Sequence, residues 1–139
     1  MPLAAAGFAV VATDYAGLGT AGAHQYLDKI PQANDVVYSI PAARAAVRGL
    51  APKWVAIGYS EGGGAVWGVA ELQASLNDSN YAGGISIAGW LSIDEGDGSA
   101  AGVTDSASER FWPLWTFGLK ASYPSFDVSQ MLTAAVNVG

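Results

Sequence analysis

The chain has no cysteine and only one histidine in 139 residues. Without cysteine there are no disulfides, thiolate metal sites or cysteine nucleophiles, and the compartment is left open. With one histidine, His24 is the sole imidazole available for base chemistry. Basic residues are also scarce, six against twelve acidic ones, and the resulting net charge of −6 argues against nucleic acid or an anionic membrane surface as a partner. No run of eighteen apolar residues exists, so stable membrane insertion is not expected. What remains is a globular composition, about half apolar, long enough for one domain or part of one with a real core. No metal or cofactor is called for by any motif. Residues 1–12 could pass for a signal peptide, but they lack a basic start and are short, and residues 8–13 make a better buried strand.

The most informative stretch is Gly58-Tyr59-Ser60-Glu61-Gly62, a G-x-S-x-G pattern. Residues 53–57 have the β-branched, alternating character of a strand. Residues 64–75 carry Ala65, Val66, Val69, Ala70 and Leu72 at helical spacing. A chain that turns from strand to helix in so few residues brings its backbone segments nearly into contact, so Gly58 and Gly62 are expected to be required for their lack of a side chain. The turn would hold Ser60 in a strained conformation with its hydroxyl pointing outward, and the helix behind it would aim free N–H groups at the same place. The plain alternative is a glycine-rich turn whose serine merely caps the helix.

Taken in order, residues 7–13 read as a first strand and residues 14–31 as a glycine-rich loop. Within that loop, Gly17-Leu18-Gly19-Thr20-Ala21-Gly22 matches the dinucleotide fingerprint G-x-G-x-x-G. The glycines do not open a helix directly, because Pro31 intervenes, and no second strand follows, so nucleotide binding is not the favoured reading. Asn34 or Asp35 can cap a helix whose apolar face is Val36, Val37, Ile40, Ala43, Val47 and Leu50. Pro41 would kink it or mark its true first turn, and Gly49 and Pro52 would end it. After the elbow helix, residues 77–80 form a turn and residues 82–89 a third strand. Alternating strands and helices imply a parallel sheet with helices on both faces and ligands at the carboxyl ends of the strands, where Asp14 and Ser60 lie. Residues 90–108 read as a loop holding Asp94. Phe111, Leu114, Trp115, Phe117 and Leu119 read as one apolar helix, and residues 127–132 start another. These suit either a cap over a site or core packing.

The stretch Val10-Val11-Ala12-Thr13-Asp14-Tyr15-Ala16-Gly17-Leu18-Gly19, with His24 and Tyr26 behind it, the elbow at Ser60, and Phe126-Asp127 together resemble the α/β-hydrolase superfamily, most closely its secretory lipase family. The resemblance implies a partial α/β-hydrolase fold, with a parallel sheet core flanked by helices over residues 1–108 and the start of a helical cap or lid over 109–139. It also implies that Ser60 is the nucleophile of a serine esterase or lipase acting on a small-molecule ester or lipid. The backbone N–H of Glu61 would be one oxyanion donor and the loop at Asp14 would supply the second. Secretion is likewise implied by resemblance only.

The chain departs from that pattern in its triad. The superfamily order is serine, acid, histidine, whereas His24 precedes Ser60 and no histidine follows. The expectation is therefore a fragment bearing the nucleophile without the acid and histidine half. Asp94 lies where some members carry the acid, although with no histidine to orient it reads equally as part of a solvated acidic loop. His24 is the sole stand-in for the base, and its plain alternative is a local hydrogen-bonding residue. A truncated sheet would leave open edges and an uncovered apolar face, so self-association is expected. The rival class is a chain that does not catalyse, either a truncated hydrolase-like domain or a small-ligand-binding module.

Overall fold

Among the described residues two β-strands form, because their alternating apolar residues find a helix on one side. β1 (Trp54–Tyr59) and β2 (Tyr81–Ile87) pair in parallel, with Ile57 opposite Ile85 and Tyr59 opposite Ile87. The computed structural model describes residues 2–89 and 111–132, and within them the elements run α1 (Pro2–Ala5), α2 (Lys29–Ala46), β1, α3 (Glu61–Leu76), β2 and α4 (Trp112–Ser122), followed by a 3₁₀ turn at Val128–Gln130. This is a mixed α/β arrangement. The register slips by one residue between Trp54 and Ala56, where β2 accommodates the extra residue beside Gly83, whose φ is +130°.

The core lies between one face of the sheet and α3. Trp54 and Ala56 point inward from β1 and meet Val66 and Val69 of α3 and Ala33 of α2, with Val36, Val37, Ile40, Leu72 and Tyr81 around them. Burying each of these valines contributes about 1.5–3 kcal/mol. The helices α2 and α3 approach closely because Gly68 has no side chain. A Cβ there would lie 2.8 Å from that of Ala33 and would overlap the Lys29 carbonyl.

Among the described residues no helix packs on the opposite face of the sheet. Val55, Ile57 and Tyr59 of β1 and Ile85 and Ile87 of β2 are all exposed. The expected helices on both faces are therefore found on one face only among the described residues.

Other sequence expectations need correction. Residues 8–13 form no strand, since no described strand runs beside them to complete a ladder, and Phe8, Val10 and Val11 are exposed. The helix expected to start at Asn34 or Asp35 begins at Lys29. Asp28 is its cap, accepting the Ile30 N–H at 3.3 Å, and Pro31 fits in its first turn. It passes through Pro41 and ends at Ala46, short of Gly49. Within the described residues, the stretch expected to start a helix at Asp127 forms a 3₁₀ turn capped by that aspartate, and the residues beyond Leu132 lie outside them.

Candidate active site

β1 ends at Tyr59 and α3 starts at Glu61, so Ser60 alone makes the corner. Its φ of 52° and ψ of −115° are costly for a residue with a side chain, about 1–3 kcal/mol. Two backbone bonds impose them. The Ser60 N–H donates to the Ile87 carbonyl at 2.9 Å, and the Ser60 carbonyl accepts from Gly64 N–H at 3.1 Å. That second bond is the first of the helix, so the N–H groups of residues 61–63 precede it and are left facing outward at the positive end of α3. The serine side chain caps nothing, and its Oγ makes no hydrogen bond among the described residues.

The glycines around the corner divide the work differently from the motif. A Cβ on Gly58 would overlap the Gly62 carbonyl and sit 2.8 Å from Gly63 N. At Gly62 a Cβ would meet only the Tyr15 hydroxyl, at an ordinary 3.7 Å. The second position that must lack a side chain is Gly63, where a Cβ would lie 2.6 Å from Gly89 Cα and 2.9 Å from the Ile87 carbonyl. Gly58 thus fulfils its expected role, and Gly63 takes the one assigned to Gly62.

The loop after Asp14 folds back over this corner. Gly17, at φ +85°, lies against the backbone of His24 so closely that a side chain would overlap it. The Ala16 N–H donates to Asp35 Oδ2 of α2 at 2.8 Å, and the Gly17 N–H to Thr20 Oγ1 at 2.9 Å. His24 stacks on Tyr15, with rings 5.7 Å apart and 8° from parallel. Its Nδ1 lies 3.3 Å from the Ala16 carbonyl and its Nε2 2.6 Å from Glu61 Oε1. The same Glu61 oxygen accepts from Nε2 of Gln32 at 2.6 Å, and Gln32 is buried in α2. Burial raises the Tyr15 hydroxyl above its ordinary pKa, and the carboxylates of Glu61 and then Asp35 push it further. Burial and Glu61 act in the same direction on Tyr26.

α4 closes this neighbourhood from the other side. At Gly118 a Cβ would lie 2.5 Å from the Tyr26 carbonyl, so the helix packs directly on the loop. Ser122 Oγ donates to Asp28 Oδ2 at 2.7 Å and lies 3.2 Å from Gln25 Nε2.

Ser60 and Glu61 therefore share the corner, and His24 is brought to Glu61. The expectation that His24 could stand in as the base of Ser60 meets a different geometry, with both ring nitrogens engaged by Glu61 and Ala16. Asp14 is exposed at the head of the folded-back loop. Asp94 lies outside the described residues. The convergence of Gln32 and His24 on Glu61 leaves no local pattern in the sequence, since these partners lie 29 and 37 residues away from it. Among the described residues no group of three or more metal-ligating side chains occurs, and no helix is long and apolar enough to cross a membrane.

Comparison with protein-family models, with curated proteins and with solved structures finds no significant match. Fold and site define a mixed α/β chain with a strained serine at a strand-to-helix corner, its hydroxyl without a hydrogen bond among the described residues.

Proposed function

We propose that this chain is the nucleophile-bearing part of a serine hydrolase of the α/β-hydrolase superfamily, related to the secretory lipases, which cleaves carboxylic esters through an acyl-enzyme on Ser60. The observation that carries the reading is the corner itself: a strained serine whose hydroxyl caps nothing, followed by Glu61, whose N–H has no acceptor among the described residues.

In this reaction Oγ of Ser60 attacks the ester carbonyl as its proton passes to a base. The oxyanion is stabilised by Glu61 N–H and by a donor from the loop at Asp14, each such donor lowering the barrier by about 3 kcal/mol. Collapse expels the alcohol, which takes up the proton, and water then releases the acid. Both His24 nitrogens are engaged, by the Ala16 carbonyl and by Glu61, so this imidazole takes the Ser60 proton only after leaving those partners. The exposed apolar residues Leu114 and Phe117 of α4, which packs beside the site at Gly118, favour lipid-like acyl groups.

The engagement of both His24 nitrogens favours a second reading, a hydrolase-like module that binds a small ligand without turning it over. A fluorophosphonate probe separates the two. The catalytic reading expects a covalent adduct on Ser60 that disappears in Ser60→Ala. A folded sample that takes up no probe supports the binding module.

A further inference from the structure

A continuous line of hydrogen bonds joins the two backbone segments that would supply the oxyanion donors. It runs from Asp35 Oδ2 of α2 to the Ala16 N–H, from the Ala16 carbonyl to His24 Nδ1, and from His24 Nε2 to Glu61 Oε1. Ala16 is two residues beyond Asp14, and Glu61 directly follows Ser60. The line is anchored a second time where Gln32, also on α2, donates to Glu61 Oε1. His24 is held flat by the Tyr15 ring and tilted against Tyr26, so it has little freedom to swing away.

We propose that His24 and the Glu61 side chain are positioning residues that fix the separation between the loop at Asp14 and the first turn of α3, and with it the gap between the two oxyanion donors. The physical need is specific. The strained Ser60 conformation persists only while its surroundings over-determine it, and its backbone bonds run to Ile87 of β2 and from Gly64 of α3, not to the loop side. Glu61 supplies the restraint from the opposite side. The two groups that face the His24 ring nitrogens, the Ala16 carbonyl and the Glu61 carboxylate, are both hydrogen-bond acceptors. A dipole argument explains a carboxylate at position 61, but not why a buried glutamine and the chain's one histidine converge on a single oxygen of it.

The inference rests on Ser60 being the nucleophile, and the test reads the two claims separately. Rates of Ser60 modification by a fluorophosphonate are measured against probe concentration for the native chain, His24→Ala, Glu61→Ala and Glu61→Gln, each checked for native circular dichroism. A misplaced donor slows the chemical step, so the alanine variants are expected to lose about 10- to 100-fold in maximal rate with the half-saturating concentration unchanged. Glu61→Gln keeps an acceptor oxygen and is expected within about threefold of native, a rescue that loss of bulk packing would not show. Full-rate labelling of the folded His24→Ala variant would overturn the positioning role while leaving Ser60 as the nucleophile. Absence of labelling in the folded native chain would overturn both. Amide exchange gives the geometric readout without chemistry: the Ser60 and Gly64 amides, bonded to the Ile87 and Ser60 carbonyls, should exchange at least about tenfold faster in Glu61→Ala than in Glu61→Gln, and equal rates would also overturn the proposal.

Discussion

Gly58 and Gly62 touch through their backbones across the serine corner, so that any Cβ on Gly58 would fall on the Gly62 carbonyl, yet the reverse is not true. The asymmetry predicts opposite outcomes for one substitution at two motif positions. Gly58→Ala collides with backbone that cannot rotate away and is expected to destabilise the fold by about 3 kcal/mol or more. Gly62→Ala meets only the Tyr15 hydroxyl and gains helix propensity, so stability should stay level or rise by up to about 1 kcal/mol. Urea unfolding of both variants checks this, and equal losses would contradict the geometry.

Asp28 does two jobs with its two carboxylate oxygens, capping α2 at Ile30 N–H and accepting from Ser122 at the end of α4. Asp28→Ala should therefore cost more than a cap alone, about 1–2 kcal/mol in urea unfolding. Ser122→Ala should cost less, since it leaves the cap in place. A larger loss in Ser122→Ala would mean that the tie to α4 outweighs the cap.

What the sequence made legible is what short-range chemistry controls. The corner at Ser60, the strand before it and the helix after it were readable because alternation, helical spacing and a glycine pattern all lie within about twenty residues. The start of α2 was misplaced because two capping sites compete: Pro31 looked like a loop residue, although a proline fits the first turn after Asp28 as well as it fits a loop. Residues 8–13 have the alternation of a strand but not the neighbour, and a ladder is a property of two segments. The exchange of roles between Gly62 and Gly63 has the same origin, since Gly63 is constrained by Gly89, a residue that reaches the corner only when β2 pairs with β1. The convergence of His24 and Gln32 on Glu61 likewise depends on where the loop and α2 end up.

The turn between α3 and β2 contains a pH-sensitive tie. Asp78 accepts the indole N–H of Trp54 at 2.8 Å and the Asn80 N–H at 2.8 Å, and these bonds, Trp54 first, hold its carboxyl below the ordinary carboxylate range. A folded-state pKa below the unfolded value gives stability that is present above the unfolded pKa and lost as pH falls through the folded one. The urea midpoint should consequently fall between neutral pH and about pH 3. Asp78→Asn, which cannot ionise, should show a lower midpoint at neutral pH and a shallower decline on acidification. A parallel decline in both proteins would assign the acid sensitivity to other carboxylates such as Asp127, which its bonds to Ser129 also hold low.

The bare sheet face makes the last prediction. Ile57 and Ile85 sit opposite one another in the register, about half exposed at 49% and 55%, with Val55 and Ile87 beside them on a strand pair that has no helix on that side among the described residues. An apolar patch on a parallel pair, with the ladder groups on the outer edge of β1 also unpaired among the described residues, drives association by burial and by strand addition together. The chain is expected to sediment as more than a monomer. A lysine at position 85 places a charge in the centre of the patch without touching the α3 side of the core, so Ile85→Lys should shift the distribution toward monomer while circular dichroism stays native. Sedimentation velocity over a concentration series reads this directly. If Ile85→Lys associates as the native chain does, contact through this face is excluded, and the exposed residues of the 8–13 segment, Phe8 above all, become the surface to mutate.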